Sequence, residues 1–566
     1  MSEFHGPGGP VPHIPDDMTT AQFMLDYHHE CKPISADSQA NPWVIDDATG
    51  KSAGFAEVCF GSLYRATYID AVGWRFVTAI SLTPYLVEDD VVGIFSPNHI
   101  DYPVMVWGTH RLGAIITAAN PAYTADELEH QLSATKAKLL FVHPWSYSVA
   151  VQAARSAGLS ADRIVLLEVL GETTSIDGPH VTLNQLVAEG LAAPQSFVER
   201  KLKPGEGRTK LAFLSFSSGT TGRPKAVCIP HYAPIANVLQ MAHLANSATC
   251  PPHERKWRPG DVALAVLPFY HIYGLVVLMH FLIFYGESLL VVPKFEFLSI
   301  LKSIERYRVA FCPGAAPLSA ELTHQLAQVL PQVHIGQGYG MTETSTTISF
   351  PQIEQKICLP GSAGRLLPDV IARVVKTDGS LAGPGEPGHL VVKSPSNALR
   401  YLNNEEATKE TFDDGWVATG DEVYITESAD VFVVDRIKEL LKVKGFQVAP
   451  AELEGHLFNH PDVSDVCVVG LPDDYNGELP LAFVVPSVAA AERIKADAAE
   501  AARIREALMK HVADAKVHYK RLAGGVEFVD VIPKNPSGKL LRRVLRDRAK
   551  EMKEQGKLSL VPKAKL

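Results

Sequence analysis

Mostly apolar runs recur through the first three quarters of the chain, at Val91 to Phe95, Lys138 to Val142, Ile164 to Leu167 and Val262 to Leu267, with helix-like segments between them. A strand with one face in water alternates apolar and polar residues, so strands apolar throughout need cover on both faces. This rhythm predicts an α/β fold of mostly parallel sheets covered by helices. The chain of 566 residues exceeds what one core usually serves, so two or more domains are expected.

After about Gly361 the texture changes. Turn-rich sequence from Ala382 to Gly388 separates short strands, His389 to Lys393 and Val431 to Asp435, and predicts a β-rich subdomain within the first unit. A last unit begins near Lys438, with Pro450 placed to start a helix. It continues with strands Val466 to Val469 and Ala482 to Val485, then an Ala-rich helix whose Ile504, Leu508 and Val512 share one face. The division is a large N-terminal domain, 1–437, and a small α+β domain, 438–566.

Composition narrows the function. A formal net charge of −10 argues against a nucleic-acid partner, whose binding draws on basic surface. The seven cysteines, Cys31, Cys59, Cys228, Cys250, Cys312, Cys358 and Cys467, form no CxxC pair, which favours reduced thiols over disulfides or zinc. The amino terminus has no basic start followed by an apolar run, so no signal peptide is expected. The most apolar stretch, Ile272 to Tyr285, is shorter than a membrane span and reads as a buried helix.

The segment Ser217-Ser218-Gly219-Thr220-Thr221-Gly222-Arg223-Pro224-Lys225 packs hydroxyls, glycines and a cation between two apolar runs. Glycines let backbone N–H groups approach phosphate oxygens, and Lys225 can set positive charge beside them. A flexible Ser/Gly connector has the same composition. A Walker A loop is excluded, because Pro224 stands where its second glycine belongs and Ala226 to Pro230 reads as a strand.

Three further segments carry polar groups on turns. Gly336 to Thr344 combines an aromatic, close-set glycines, a hydroxyl and a carboxylate; a Gly-rich turn with a surface acid is the alternative. Gly415 to Asp421 ends in a carboxylate able to accept from ribose hydroxyls, or to serve as an ordinary turn aspartate. Pro533 to Lys539 sets a lysine on a Pro/Gly turn.

In this order, from about Asp46 to Arg543, these motifs resemble the adenylate-forming enzymes, which include acyl-CoA synthetases, 4-coumarate:CoA ligases and beetle luciferases. The resemblance implies that Ser217, Ser218, Gly219, Thr220, Thr221, Gly222 and Lys225 close over the β- and γ-phosphates of ATP, and that Gln337, Gly338 and Tyr339 line the nucleotide. It implies an α-phosphate contact for Thr342, Mg²⁺ on Glu343, and ribose on Asp421 and Arg436. Lys539 becomes the catalytic lysine that also binds ATP, bridging the attacking carboxylate and the α-phosphate.

Family members rotate the small domain about a hinge, matched here by Lys438, so 1–437 becomes the AMP-binding (adenylation) domain and 438–566 the mobile one. After rotation Lys444 and Gly445 lie near CoA, and Lys442 and Gln447 aid catalysis. His271, after Pro268-Phe269-Tyr270, gates the acid entrance, with Gly314 and Ala315 in the acyl and adenine pocket. The implied activity takes a small-molecule carboxylic acid, aryl or medium-chain, with ATP, Mg²⁺ and CoA, to acyl-CoA, AMP and diphosphate. An adenylating enzyme with another acceptor, and a nucleotide-binding protein with impaired catalysis, are the alternatives.

The resemblance breaks between Ser303 and Leu318, where Tyr307 to Pro313 runs directly into Gly314 to Leu318. Parallel strands need a crossover of a dozen or more residues, so one βα unit of the family pattern is missing. A shortened, inactive isoform and a transcript that skipped an exon are the two explanations, and the second is preferred. The final Ala564-Lys565-Leu566 is a close variant of the S-K-L peroxisomal address, so import by the peroxisomal receptor is expected, with the cytoplasm as the alternative.

Overall fold

The structure, a computed structural model, describes residues 3–33, 41–54, 86–169, 180–192, 199–217, 224–247, 251, 255–311, 320–329, 331, 334–437, 439–444, 446–473, 475–497, 499–534 and 540–558. Two sheets dominate the large domain. The first has eight strands in the order Arg400–Tyr401, Lys225–Pro230, Leu211–Ser217, Ile115–Ala119, Val91–Phe95, Leu139–Val142, Ile164–Leu166 and Val181–Thr182. Its strands from Leu211–Ser217 onward run parallel, and antiparallel pairing enters only at the end carrying Lys225–Pro230. All five residues of Val91–Phe95 are buried, as their unbroken apolar character requires.

The second sheet is ordered Val309–Phe311, Val262–Ala265, Ser288–Val291, Pro42–Asp46 and Ser52–Gly54. Helix Tyr232–Asn246 belongs to the main core together with the π-helical segment Tyr273–Leu282. The buried helix expected over Ile272 to Tyr285 thus takes π geometry for most of its length, ending in the α-turn Ile283–Tyr285. Among the described residues no helix is long and apolar enough to cross a membrane.

The β-rich part is a six-stranded antiparallel sheet that includes Ile371–Val375, Gly388–Lys393, Trp416–Ile425 and Val431–Arg436. The last part of the chain forms its own sheet from Phe446–Val448, Leu441–Val443, Gly477–Pro486, Val463–Asp473 and Gly525–Phe528. Helices Pro450–Phe458 and Glu500–Ala515 pack on this sheet, and Ile504, Leu508 and Val512 are buried in its core. The Ala-rich stretch is two helices rather than one, Val488–Ala496 and Glu500–Ala515. Asp497 adopts an extended backbone between them, and its carboxylate accepts from the N–H of Ala499.

At the shortened junction, Val309–Phe311 pairs only with Val262–Ala265 among the described residues, which makes it a sheet edge. The preceding helix Phe297–Tyr307 leaves Phe297 61%, Leu298 69% and Leu301 46% exposed. Together these side chains present an exposed apolar patch on the helix. Residues 312–319 lie outside the described part, and so do Gly314 and Ala315.

Candidate nucleotide site

The phosphate loop leaves one strand and enters its neighbour. Leu211–Ser217 and Lys225–Pro230 are antiparallel, with Ser217 opposite Lys225, so both ends of the loop are held by the sheet. The loop between them, with Ser218, Gly219, Thr220, Thr221 and Gly222, lies outside the described residues. The ammonium of Lys225 sits 4.4 Å from the ring centroid of Tyr401. The hydroxyl of Tyr401 donates to Oε1 of Glu343 at 2.7 Å.

Glu343 follows the strand Tyr339–Met341, in a turn that returns as Thr346–Phe350. Gly340 faces the carbonyl of Thr346 so closely that a Cβ there would lie inside that oxygen. Ser345 and the β-branched Thr346 have φ of 49° and 96°, a backbone strain held by the Thr344 hydroxyl and the hairpin. Strain of this kind, over-determined by its surroundings, fixes the turn that carries the half-buried Thr342 and the buried Glu343. Gly338 packs against Phe350, and the Gln337 amide reaches the Ser362 carbonyl at 3.4 Å.

The other end of the site is built on Asp421. Its Oδ2 accepts from the Tyr339 hydroxyl at 2.5 Å, and its Oδ1 lies 3.4 Å from Nε of Arg436, its cross-strand partner. Burial first, and the Asp421 charge second, raise the Tyr339 phenol well above its ordinary range, so it remains a proton donor at neutral pH. Gly420, at φ 76°, gives its N–H to Nε2 of His389, and burial holds that imidazole below its ordinary range.

Lys225, Tyr339, Thr342, Glu343, Asp421 and Arg436 are therefore brought to one region by three sheets. Tyr401 stands between Lys225 and Glu343, Tyr339 joins that end to Asp421, and Tyr401 carries no local mark in the sequence, where it is a lone tyrosine ending a two-residue strand. The arrangement offers a cation for phosphate, a carboxylate for a hard cation and a carboxylate for vicinal hydroxyls. Among the described residues no three His, Cys, Asp or Glu side chains gather as a metal site. Magnesium is commonly held by one or two carboxylates with substrate phosphates completing its shell, so a single buried Glu343 fits an ion arriving with the nucleotide.

The remaining expectations are scattered. His271 is exposed at the start of the π-helical segment, where its Nδ1 accepts from the Tyr273 N–H. Lys442 and Lys444 are exposed, and Lys444 holds φ 51° while its N–H donates to Asn476. Gln447 is the strand partner of Lys442. The side chain of Gln447 lies outside the described part, as do Lys438, Gly445 and Lys539. Lys534 and Leu540, on either side of the undescribed residues 535–539, form an antiparallel bridge, and Lys534 also pairs with Asp465 at 2.6 Å.

The α/β scaffold brings Lys225, Tyr339, Glu343, Asp421 and Arg436 together, and the class follows from its relatives. Residues 85–316 and 307–402 match the AMP-binding enzyme family, and residues 452–539 match the AMP-binding enzyme C-terminal domain. The two stretches of the first match share residues 307–316, so the alignment is interrupted at the shortened junction. A probable 4-coumarate–CoA ligase 1 of Dictyostelium discoideum is 34% identical over 500 residues, covering 81% of this chain and 86% of the relative. A 4-coumarate-CoA ligase 1 of Narcissus pseudonarcissus is 30% identical over 573 residues, covering 95% and 94%. A benzoate CoA ligase from Burkholderia xenovorans LB400 shares the fold with a TM-score of 0.73 at 20% identity, covering 94% of this chain and 100% of that one. The chain belongs to the AMP-binding enzymes, the adenylate-forming superfamily, close to its 4-coumarate:CoA ligase-like members.

Proposed function

We propose that this protein, an AMP-forming acid–thiol ligase, activates an aryl or medium-chain carboxylic acid with ATP and passes the acyl group to CoA. A carboxylate oxygen attacks the α-phosphorus, the bond to the β-phosphate oxygen breaks, and diphosphate leaves. The CoA sulfur then attacks the acyl carbon, and AMP departs with the electron pair. The observation that supports this reading is the chain of contacts that brings Tyr339, Asp421 and Arg436 together and sets Lys225 beside Glu343 through Tyr401.

Asp421 and Arg436 take the ribose, Thr342 the α-phosphate, and Ser217 to Lys225 the β- and γ-phosphates. Mg²⁺ on Glu343 would neutralise phosphate charge. Lys539 stabilises the charge shared between acid and α-phosphate, a contribution of about 4 kcal/mol at ~4 Å and an effective dielectric of ~20. The domain boundary falls at 437/438, with Lys438 as hinge, and rotation brings Lys442, Lys444, Gly445 and Gln447 to the CoA thiol. The 4-coumarate relatives support an aromatic acid, and His271 guards its entrance. A terminal Ala-Lys-Leu supports peroxisomal import, to be checked by imaging a fluorescent fusion with and without Leu566.

A panel of acids assayed for AMP and acyl-CoA release tests the reading. The expected result is CoA-dependent AMP release with an aryl acid, reduced about 10³-fold in Lys539→Ala. A second reading is favoured by the uncovered helix Phe297–Tyr307 and the interrupted family match: nucleotide binding without turnover, because the acyl wall is incomplete. ATP binding without acid-dependent pyrophosphate exchange would select it.

A further inference from the structure

We propose that Tyr401 is a positioning residue for the metal–nucleotide complex, keeping the carboxylate of Glu343 and the ammonium of Lys225 apart and ready. The inference rests on the reading of Glu343 as the Mg²⁺ ligand. Both charged groups reach the same tyrosine: its hydroxyl donates to Glu343 Oε1 at 2.7 Å, and its ring centroid lies 4.4 Å from Lys225 Nζ. No ion pair joins Lys225 to Glu343 among the described residues, although one side chain separates them.

Tyr401 is fixed on every side. Its backbone pairs with Val227 on the strand leaving the phosphate loop, and its N–H donates to the Thr408 hydroxyl at 3.1 Å. Its neighbour Leu402 donates to Ala226, and Ala398 donates to the carbonyl of Glu343 itself. Phe412 meets the ring edge-on at 5.4 Å. Phenol and carboxylate are each 5% exposed, so neither can turn out to water without moving the strand.

A Lys–Glu ion pair with its carboxylate buried would be costly to break, and ATP with its cation would have to break it before either charge could serve. A neutral hydroxyl and a π face are weaker partners. They orient the two charges without neutralising them. The carboxylate keeps one oxygen on Tyr401 and has the other for the cation, while the ammonium can leave the ring for phosphate.

The test measures ATP binding by titration calorimetry, in EDTA and in saturating Mg²⁺, for the full chain and for Tyr401→Phe, Tyr401→Leu and Glu343→Gln. Wild type is expected to bind ATP more tightly with Mg²⁺. Tyr401→Phe is expected to reduce that Mg²⁺-dependent gain about tenfold while ATP affinity in EDTA stays within about twofold. Tyr401→Leu, which also lacks the ring, is expected to lose about threefold in EDTA as well. Glu343→Gln removes the gain. If Tyr401→Phe keeps the gain while Glu343→Gln loses it, the role of Tyr401 is overturned; if Glu343→Gln keeps it too, the metal reading itself has failed. Should the variants misfold, as AMP binding and melting would reveal, 3-fluorotyrosine placed at 401 decides. Its fluorine resonance is expected to move when Mg²⁺ joins bound ATP, and an unmoved signal overturns the proposal.

Discussion

Tyr339 and Asp421, 82 residues apart in the chain, meet with the phenol oxygen 2.5 Å from the carboxylate. The contact fastens the hairpin that carries Thr342 and Glu343 to the sheet that carries Arg436, so one hydrogen bond sets the spacing between the two ends of the proposed site.

Asp421→Ala should remove both the anchor and the acceptor for ribose hydroxyls. Hydrogen bonds to a charged group contribute about 1.5–3 kcal/mol each, so KM for ATP is expected to rise at least ~100-fold. Tyr339→Phe keeps the aromatic face and should raise it about tenfold or less. Steady-state kinetics at saturating acid and CoA separate the two.

Acid should loosen the large domain. His110 and His280 are fully buried, with pKa lowered by desolvation to about 3 and about 4, and the buried His231 is lowered well below its ordinary range for the same reason. The unfolded chain binds these protons near pH 6.5 and the folded chain does not, so their contribution is full above that pH and declines as pH falls through it. Three such groups correspond to about 4 kcal/mol lost between pH 7.5 and 5.5. Urea midpoints at the two pH values check this, and equal midpoints would refute it.

Arg542 pairs with Glu439 at 2.7 Å and Glu454 at 2.5 Å, with its side chain 12% exposed. Arg542→Leu would strand the buried carboxylate of Glu454 and the half-buried one of Glu439. A loss of about 3–5 kcal/mol is expected for the small domain, read by its denaturation midpoint.

The uncovered face of Phe297–Tyr307 should drive association. Replacing Phe297 by Ser and Leu301 by Gln is expected to lower light scattering and leave ATP affinity unchanged. Inserting a relative's βα unit between Cys312 and Gly314 should raise the melting temperature. Unchanged scattering and melting would show that the face is already covered.

Much of this was legible beforehand. Uniformly apolar runs are an unambiguous demand for double cover, so Val91–Phe95 and its neighbours were readable as strands of a parallel sheet, and the face of Ile504, Leu508 and Val512 was readable from spacing alone. Lys225, Tyr339, Glu343 and Asp421 could be named because glycines and polar groups crowd together in short windows there, whereas Arg436 stood out only through the family resemblance. What the linear chain could not contain was mutual distance. The meeting of Tyr339 with Asp421, and the placement of Tyr401 between Lys225 and Glu343, arise from sheet order and register. Those depend on packing among residues remote in sequence, and a lone tyrosine on a two-residue strand carries no local mark of it.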